Sequence, residues 1–331
     1  MPVSVEWFDD LDALADDAAG ALDRARQPRL YDRLDWLRLT VAHVLPAARL
    51  AMLRVRDGSD AAWLFLIETG RRRAAPLASW YTLRFGPVTS GPDAARLLPD
   101  LFAALAKRFD GVALHPLAEP LRPRGWRAFA DQVSTNWTID LTTPDFETYW
   151  SSRPKQLRNT VARKSRSHPL HISIFKHFDP LSWTAYEAIY AASWKPAEGS
   201  LAFLRALAEQ EAEAGTLRLG LARDTTGRAI AAQFWLVEDG VATIHKLAHR
   251  EDAKAGSPGS LLSHAMFRAA IADDHVHRID FGLGDEPYKA DWVDTPQPVW
   301  RSDVYHPASL RGVAGIARET VSRLARRRPL D

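Results

Sequence analysis

A run of alternating strands in the second half of the chain restricts the fold more than any other feature. Leu217–Leu221 alternates strictly between apolar and other residues, and short turns connect it to two further strand-like runs, Ala229–Val237 and Val241–Ala248. Three strands on short turns pair as an antiparallel meander. A helical apolar pattern over Pro258–Ile271 and a strand over His277–Phe281 follow. The order β-β-β-α-β predicts an α/β (α+β) fold with a mixed, mainly antiparallel sheet flanked by helices.

Composition excludes several classes of protein. The 331 residues include no cysteine, which rules out a disulfide framework, a thiolate nucleophile and iron–sulfur clusters. The histidine pairs lack the spacing of a zinc site, so we expect no metal. No uncharged apolar run approaches the roughly 18 residues of a membrane span. Met1–Asp23 carries seven acidic residues and no basic one, the reverse of a signal peptide. These features predict a cytoplasmic protein.

The net charge of +2 hides a strong segregation of charge. Residues 148–178 contain seven basic side chains and no acidic one, and residues 311–328 contain six arginines against one glutamate. Charge separated in this way points to an anionic partner for the middle or the end of the chain. Solvated basic faces without a partner are the alternative.

The first part of the chain is predicted to form a separate domain of mixed α and β structure. A helix is expected over Asp9–Arg26, and strands Leu50–Arg56 and Ala61–Glu68 flank an Asp-Gly turn typical of a hairpin. No residues with recognisable site chemistry occur in this part, which suggests a structural role. The predicted boundaries are 1–143 for this domain, 144–306 for the second domain and 307–331 for a basic C-terminal helix or tail.

Two short blocks carry a resemblance to a known family. Ser257–Leu262 reads Ser-Pro-Gly-Ser-Leu-Leu, and Asp280–Lys289 reads Asp-Phe-Gly-Leu-Gly-Asp-Glu-Pro-Tyr-Lys. With the strand order, they resemble the GNAT-like acetyltransferases. More narrowly, they are similar to the branch associated with cellulose biosynthesis (CelD/BcsL type), which is related to the FemABX aminoacyltransferases. The resemblance implies two GNAT-like halves, the first a degenerate copy. It also implies transfer of an acyl group from acyl-CoA, with an acetyl or longer chain, to an amine.

The start of the predicted helix is the candidate donor site. Ser257 suits the N-cap and Pro258 the first helical position. The backbone N–H groups of Gly259, Ser260 and Leu261 are then predicted to face a pyrophosphate, with Gly256 in the same loop. Any capped helix also begins in this way. Ordinary GNAT enzymes carry Gln/Arg-x-x-Gly-x-Gly/Ala here, whereas this chain reads Lys-Ala-Gly-Ser-Pro-Gly, so the donor is bound atypically or is not CoA.

Three residues are candidates for proton transfer. His245 has the ordinary pKa of a base that takes a proton from an ammonium group near neutral pH. Asp280 ends the strand that borders the expected cleft, and the phenol of Tyr288 suits the protonation of a leaving thiolate. The alternative is a solvent-facing strand histidine and a surface turn. Because no cysteine is present to form an acyl-enzyme, we expect direct attack of the amine on the thioester.

The remaining candidates are polar residues around the same cleft. Lys289 is predicted to hold donor phosphates or the acceptor. Trp194 and Lys195 resemble the acceptor-side position in such proteins, and Gln233 and Lys246 lie on meander strands. The alternatives are a core tryptophan and solvent-facing strand residues.

Partners follow from the same reasoning. The acceptor is expected to be a small-molecule or envelope-precursor amine. Aminoacyl-tRNA as donor is the alternative that the FemABX relationship implies, but no aromatic residue interrupts the basic stretch between Trp150 and Phe175, which argues against a nucleic-acid site. A catalytically inactive binding protein is the other alternative. Residues 310–328 have the pattern of a basic amphipathic helix that docks on an anionic membrane or on the protein's own body.

Overall fold

The computed structural model describes residues 3–143 and 145–326. The described residues form two compact units, unit 1 from residues 3–134 and 298–326, and unit 2 from residues 135–143 and 145–297. The domain boundaries 1–143, 144–306 and 307–331 stay a prediction; by contacts, residues 135–143 group with the second unit and the described chain from residue 298 onward groups with the first. Pro144, the predicted start of the second domain, lies outside the described residues.

Unit 1 is built on a mainly antiparallel sheet with helices. Its helices are α1 (Leu11–Ala18), α2 (Leu34–His43), α3 (Leu98–Arg108) and α9 (Leu310–Arg326). Its strands are β1 (Ser4–Phe8), β2 (Leu50–Asp57), β3 (Asp60–Gly70), β4 (Arg73–Pro76), β5 (Val88–Ser90), β6 (Gly111–Leu117) and the end of β13 (Thr295–Tyr305). They are ordered β1-β2-β3-β4-β6-β13, with β5 also paired to β3.

The sequence predicts parts of unit 1 correctly. The hairpin forms with Asp57 opposite Asp60, which confirms the Asp-Gly turn. The helix predicted over Asp9–Arg26 is wrong in length, because α1 ends at Ala18 and Ala19 takes a left-handed conformation with φ 47°. Gly20 follows with φ 81°, and two such residues in succession end a helix.

Unit 2 contains the predicted meander. Its helices are α4 (Phe146–Ser152), α5 (Lys155–Ser167), α6 (Pro180–Ala191), α7 (Leu201–Glu213) and α8 (Pro258–Arg268). Its strands are the end of β7 (Arg127–Asp140), then β8 (His171–Phe175), β9 (Leu217–Arg223), β10 (Ala229–Glu238), β11 (Val241–His249) and β12 (Arg278–Leu283). Their order is β7-β12-β11-β10-β9-β8. The predicted α/β class and the β-β-β-α-β order are confirmed.

Helices cover both faces of the unit 2 sheet. On one face, Trp235 of β10 packs edge-on against Phe267 of α8, with 5.2 Å between ring centroids. On the other, the neighbouring Phe234 meets Trp183 of α6 at 5.8 Å. Successive side chains of a strand point to opposite faces, so these two contacts define the two layers. Gly220 of β9 allows α8 to approach, because a Cβ there would lie 2.5 Å from the sulfur of Met266.

Candidate functional site

The two parallel strands at the centre of unit 2 separate along their length. β11 and β12 pair from Val241 opposite Arg278 to Thr243 opposite Asp280. β11 then continues to His249 and β12 to Leu283 without further pairing to each other. Backbone groups beyond this point lack a neighbouring strand on that side. The divergence therefore exposes one edge of β11 inside the sheet.

A β-bulge lies on β11 directly beyond this divergence. Phe234 pairs with Lys246, whereas its neighbour Trp235 pairs with Ile244, so that His245 is the extra residue. A bulge leaves one residue unpaired and re-aims its side chain. The local geometry thus distinguishes His245 from an ordinary strand residue, which the sequence pattern alone does not reveal.

The surroundings of His245 make its imidazole a weak base. Both ring nitrogens are shielded from solvent, and the ring meets Phe234 edge-on with centroids 5.3 Å apart. Burial, reinforced by the ammonium group of Lys246, lowers the pKa of His245 to about 3. An imidazole with this pKa is neutral at pH 7 but holds a proton from an ammonium group only weakly. The electrostatics therefore lend no support to the predicted base role of His245.

A cluster of opposite charges lies next to the bulge. The Nζ of Lys246 is 2.9 Å from a carboxylate oxygen of Glu198, and both side chains are largely buried. Burial lowers the pKa of the Lys195 amine from 10.5 to about 8. The ammonium groups of Lys246 and Lys289 act in the same direction, and the carboxylates of Glu286 and Glu198 act against it. The structure therefore brings the predicted residues Lys195 and Lys246 into one electrostatic cluster.

Trp194 connects this cluster to the start of α8. Its ring lies 4.3 Å from the ring of His249, and the Nζ of Lys195 is 5.8 Å from the centre of the Trp194 ring. A Cβ at Gly259 would lie 3.2 Å from Nδ1 of His249, so His249 packs directly on the first turn of α8. Nε2 of His249 is buried and has no hydrogen-bond partner within the described residues.

The first turn of α8 offers two backbone donors. No hydrogen bond from the N–H of Gly259 or Ser260 occurs within residues 3–143 and 145–326. The N–H of Leu261, the third predicted donor, is engaged within the chain, because it donates to the carbonyl oxygen of Ser257 at 3.2 Å, as expected for the fourth residue of a helix. Ser257 also departs from its predicted role as a side-chain cap. It takes a left-handed conformation with φ 54°, and its hydroxyl forms no capping bond.

The loop before α8 is held by α5. Gly256 lies against His168, the residue after α5, since a Cβ at Gly256 would be 3.3 Å from a carbon of the His168 ring. Lys164 donates to the carbonyl oxygen of Ala255 at 2.5 Å. A groove of about 390 Å³ opens here, and its lining includes Gly256 and Pro258.

Gln233, predicted as a substrate-binding residue, lies in the core of unit 2. Its side chain is 1% exposed. Its amide nitrogen donates to the Ser263 hydroxyl at 2.7 Å, and its amide oxygen accepts from the indole N–H of Trp235 at 2.8 Å. These bonds join β10 to α8 and satisfy polar groups that would otherwise be costly to bury.

Lys289, predicted to hold donor phosphates or the acceptor, makes internal contacts in the structure. The residue is 3% exposed. Its Nζ donates to the carbonyl oxygens of Leu283 at 2.6 Å and Gly282 at 3.3 Å, and pairs with Glu286 at 3.1 Å. The ammonium group therefore closes the turn that follows β12 and does not point to solvent.

Asp280 and Tyr288 flank this turn. The carboxylate of Asp280 accepts from the Asn136 amide at 3.1 Å and from the Gly282 N–H at 2.9 Å, and burial raises its pKa. Tyr288 is partly exposed, its ring lies 5.9 Å from that of Phe281, and burial together with the nearby Glu286 raises its pKa. Its phenol is therefore protonated at neutral pH.

A basic surface lies along α5, which buries Leu157 and Val161. A groove of about 710 Å³ runs beside this helix. Its lining includes Lys155, Arg163 and Arg166, none of which forms an ion pair within the described residues. This surface is distinct from the cluster at the bulge.

Sequence reasoning missed Glu198 and His249. Glu198 lies in the loop between α6 and α7, and its partner Lys246 is distant in sequence, so no local pattern reveals the pair. His249 ends β11 close to the glycine-containing start of α8, and this proximity was an available signal. No group of three or more His, Asp or Glu side chains in the described part of the chain is arranged to hold a metal ion.

Comparison with known proteins identifies the domain type. Residues 145–290 match a family model described as an acetyltransferase (GNAT) domain. No curated protein matches the chain. The match covers the meander, the diverging strands and α8, and it does not distinguish the CelD/BcsL-type branch, which stays a prediction.

Two solved structures share the fold over most of both chains. The structure of FemX is 11% identical with a TM-score of 0.56, and the alignment covers 83% of this chain and 92% of FemX. The structure of L-PGS from Bacillus licheniformis is 15% identical with a TM-score of 0.51, covering 84% of this chain and 90% of L-PGS. At this level of identity, the similarity establishes a common fold.

Proposed function

Because this chain carries an acetyltransferase (GNAT) domain in residues 145–290 and is an acyltransferase, we propose that it moves an acyl group from acyl-CoA to the amine of an envelope-related acceptor. The observation that carries the proposal is the divergence of β11 and β12 beyond Thr243 and Asp280. It opens the sheet between the first turn of α8 and the charge cluster around Lys195.

The donor side rests on the start of α8. The N–H groups of Gly259 and Ser260 stand at the positive end of an 11-residue helix, which favours a phosphate group. Nε2 of His249 adds a buried nitrogen without a partner in the described structure. These groups suit the diphosphate of CoA, whose acyl arm would then follow the open edge of β11 towards the bulge at His245.

The acceptor side rests on Trp194, Lys195 and Lys246. The exposed Trp194 ring offers a flat apolar surface beside a cationic group. Glu198 and Lys246 form an ion pair, and the pair offers charges of both signs next to the site where an amine would bind. An acceptor that carries both an amine and an anionic group fits this mixture of charges.

An ammonium acceptor first loses one proton to solvent. The neutral amine then attacks the thioester carbon and gives up a second proton from nitrogen, the carbon–sulfur bond breaks as the tetrahedral intermediate collapses, and the thiolate takes up a proton. Lys195, whose pKa of about 8 leaves part of it neutral near pH 7, replaces His245 as the candidate that receives the second nitrogen proton. Tyr288, which is protonated at this pH, gives a proton to the leaving thiolate.

Calorimetric titration with CoA and acetyl-CoA tests the donor. The replacement Ser260→Pro removes one N–H at a helical position that tolerates proline, and we expect it to weaken CoA binding about tenfold. Ser260→Ala keeps the N–H and should bind as the wild type does. If the wild-type protein binds neither CoA nor acetyl-CoA, the donor assignment is wrong. CoA binding without turnover on a panel of amines would instead identify an inactive binding protein.

Aminoacyl transfer from tRNA is the second candidate function. The unpaired basic side chains of the α5 groove favour it, together with the fold shared with FemX. Salt-sensitive binding of tRNA that is abolished by Arg163→Glu and Arg166→Glu, with no binding of CoA, would establish this alternative. Binding of CoA with no effect of these replacements would exclude it.

A further inference from the structure

The C-terminal helix α9 packs on unit 1 through a narrow face. Gly315 touches Tyr305, since a Cβ there would lie 2.4 Å from the ring, and Gly312 touches the backbone of His306. Arg323 on the same face pairs with Asp131 and, at 2.9 Å, with Glu319. The glycines let the helix backbone lie directly on the body of the unit, so the packed face contains little apolar side-chain surface.

The opposite face of α9 is apolar and exposed. Leu310, Val313, Val321 and Leu324 are 92%, 50%, 65% and 60% exposed. With Ala314 and Ala317, they recur every three or four residues and form one stripe along the helix. The stripe lies directly opposite the glycines. The sequence left open whether this helix docks on a membrane or on the protein's own body. In the structure the glycine face packs on unit 1, and the apolar stripe stays uncovered.

Positive charge accompanies this stripe. Arg311 and Arg318, seven residues apart, lie along one edge of the stripe, are exposed, and form no ion pair within the described part of the chain. Glu319 already pairs with Arg323. No described helix is long and apolar enough to cross a membrane. An amphipathic helix with an uncovered apolar stripe and arginines at its edge suits a position parallel to an anionic bilayer surface.

We propose that α9 docks this protein on the surface of anionic lipid bilayers, with the stripe in the acyl–headgroup boundary and Arg311 and Arg318 on the lipid phosphates. A second copy of the chain is the other occupant to consider. Two stripes packed together would bring Arg311 and Arg318 of both copies to one interface. Glu319, the acidic residue of α9, already pairs with Arg323 and would not neutralise them. The charge therefore favours an anionic membrane over self-association. The proposal does not depend on the identity of the donor or the acceptor.

Co-sedimentation of the full-length protein with phosphatidylglycerol vesicles tests the proposal, with phosphatidylcholine vesicles as the comparison. We expect binding to phosphatidylglycerol only. Val321→Asp combined with Leu324→Asp should lower the partition coefficient at least about tenfold. Arg311→Gln combined with Arg318→Gln should lower the partition coefficient about 25-fold, at roughly fivefold for each arginine. Leu181→Asp replaces a leucine that is 81% exposed on α6 and serves as the matched control, which should bind like the wild type.

Several results would overturn the proposal. One is the absence of wild-type binding to phosphatidylglycerol, and another is equal loss of binding in the Leu181→Asp control. A third is a dimer in solution that Val321→Asp and Leu324→Asp convert to a monomer, which would make a second copy the occupant. Thermal melting of each variant establishes that the replacements, all at exposed positions, leave the fold intact.

Discussion

Replacing Lys195 by methionine removes one ammonium group from the cluster that contains Lys246 and Lys289, and leaves an unbranched side chain in the same space. The fall of the Lys195 pKa from 10.5 to about 8 measures how strongly the folded protein disfavours this charge. At about 1.4 kcal/mol for each tenfold change, the charge lowers the free energy of unfolding by roughly 3 kcal/mol. Lys195→Met should therefore be more stable than the wild type at pH 7, by up to that amount.

The sign and the pH window of this effect follow from proton binding. Between pH 8 and 10.5 the unfolded wild-type chain holds the Lys195 proton and the folded protein has lost it. The free energy of unfolding of the wild type therefore rises with pH in this window. The variant lacks this rise, so its advantage is full below about pH 8 and disappears towards pH 10.5.

Urea unfolding at pH 7 and at pH 10 measures both quantities. Lys107→Met, at an exposed position of α3, is the matched control and should change the free energy of unfolding by less than about 0.5 kcal/mol at either pH. An advantage of Lys195→Met that persists unchanged at pH 10 would refute the electrostatic origin. A loss of stability at pH 7 would refute the whole argument. If Lys195 receives the proton of the acceptor, the same variant is more stable and loses acyl transfer.

Two further predictions concern the ion pair between Arg153 and Asp294 and the packing of α9. Arg153→Ala removes the two hydrogen bonds, of 2.7 and 2.8 Å, that Asp294 accepts from the guanidinium group. Because Arg153 is buried and Asp294 exposed, we expect the free energy of unfolding in urea to fall by about 2 kcal/mol. An unchanged free energy of unfolding would show that the pair is incidental. Gly315→Ala places a methyl group against Tyr305, so we expect the free energy of unfolding to fall by about 1–3 kcal/mol and proteolysis of α9 to increase. The control Ala314→Ser, on the exposed face of α9, should change neither.

Local sequence signals predicted the parts of this fold that depend on neighbouring residues. The meander strands β9, β10 and β11 follow from alternation and turn residues. Asp145 caps α4, since its carboxylate accepts from the Thr148 N–H at 2.8 Å, and aspartate is a preferred residue at this position. Strand β13 was not predicted, because Pro296 and Pro298 resemble loop residues in sequence. Its pairing with β6, from Trp300 opposite Leu117 to Tyr305 opposite Gly111, joins residues far apart in the chain.

At the candidate site, the sequence likewise predicted residue types, and the structure alone supplied their surroundings. The sequence supplied Trp194, Lys195, Lys246 and Tyr288 as types of residue suited to the chemistry, but it supplied no information on their surroundings. Gln233 was predicted from its place on a meander strand, and Lys289 from the block Asp280–Lys289 that carries the family resemblance. In the structure both satisfy buried polar groups, since Gln233 bonds Ser263 and Lys289 bonds carbonyl oxygens at the end of β12. A polar side chain in a strand or turn has the same local signature whether it faces a ligand or the core.

By itself, the sequence determined the α/β class, the order of elements in unit 2 and the segregation of basic charge, because each depends on residues close together in the chain. Only the tertiary structure decided which charges meet. It separated β11 from β12, inserted His245 as a bulge, brought Glu198 to Lys246, and turned the glycines of α9 inward so that its apolar stripe faces out. These features arise from contacts between distant segments, and the free energy of those contacts depends on burial and distance, which no local pattern encodes.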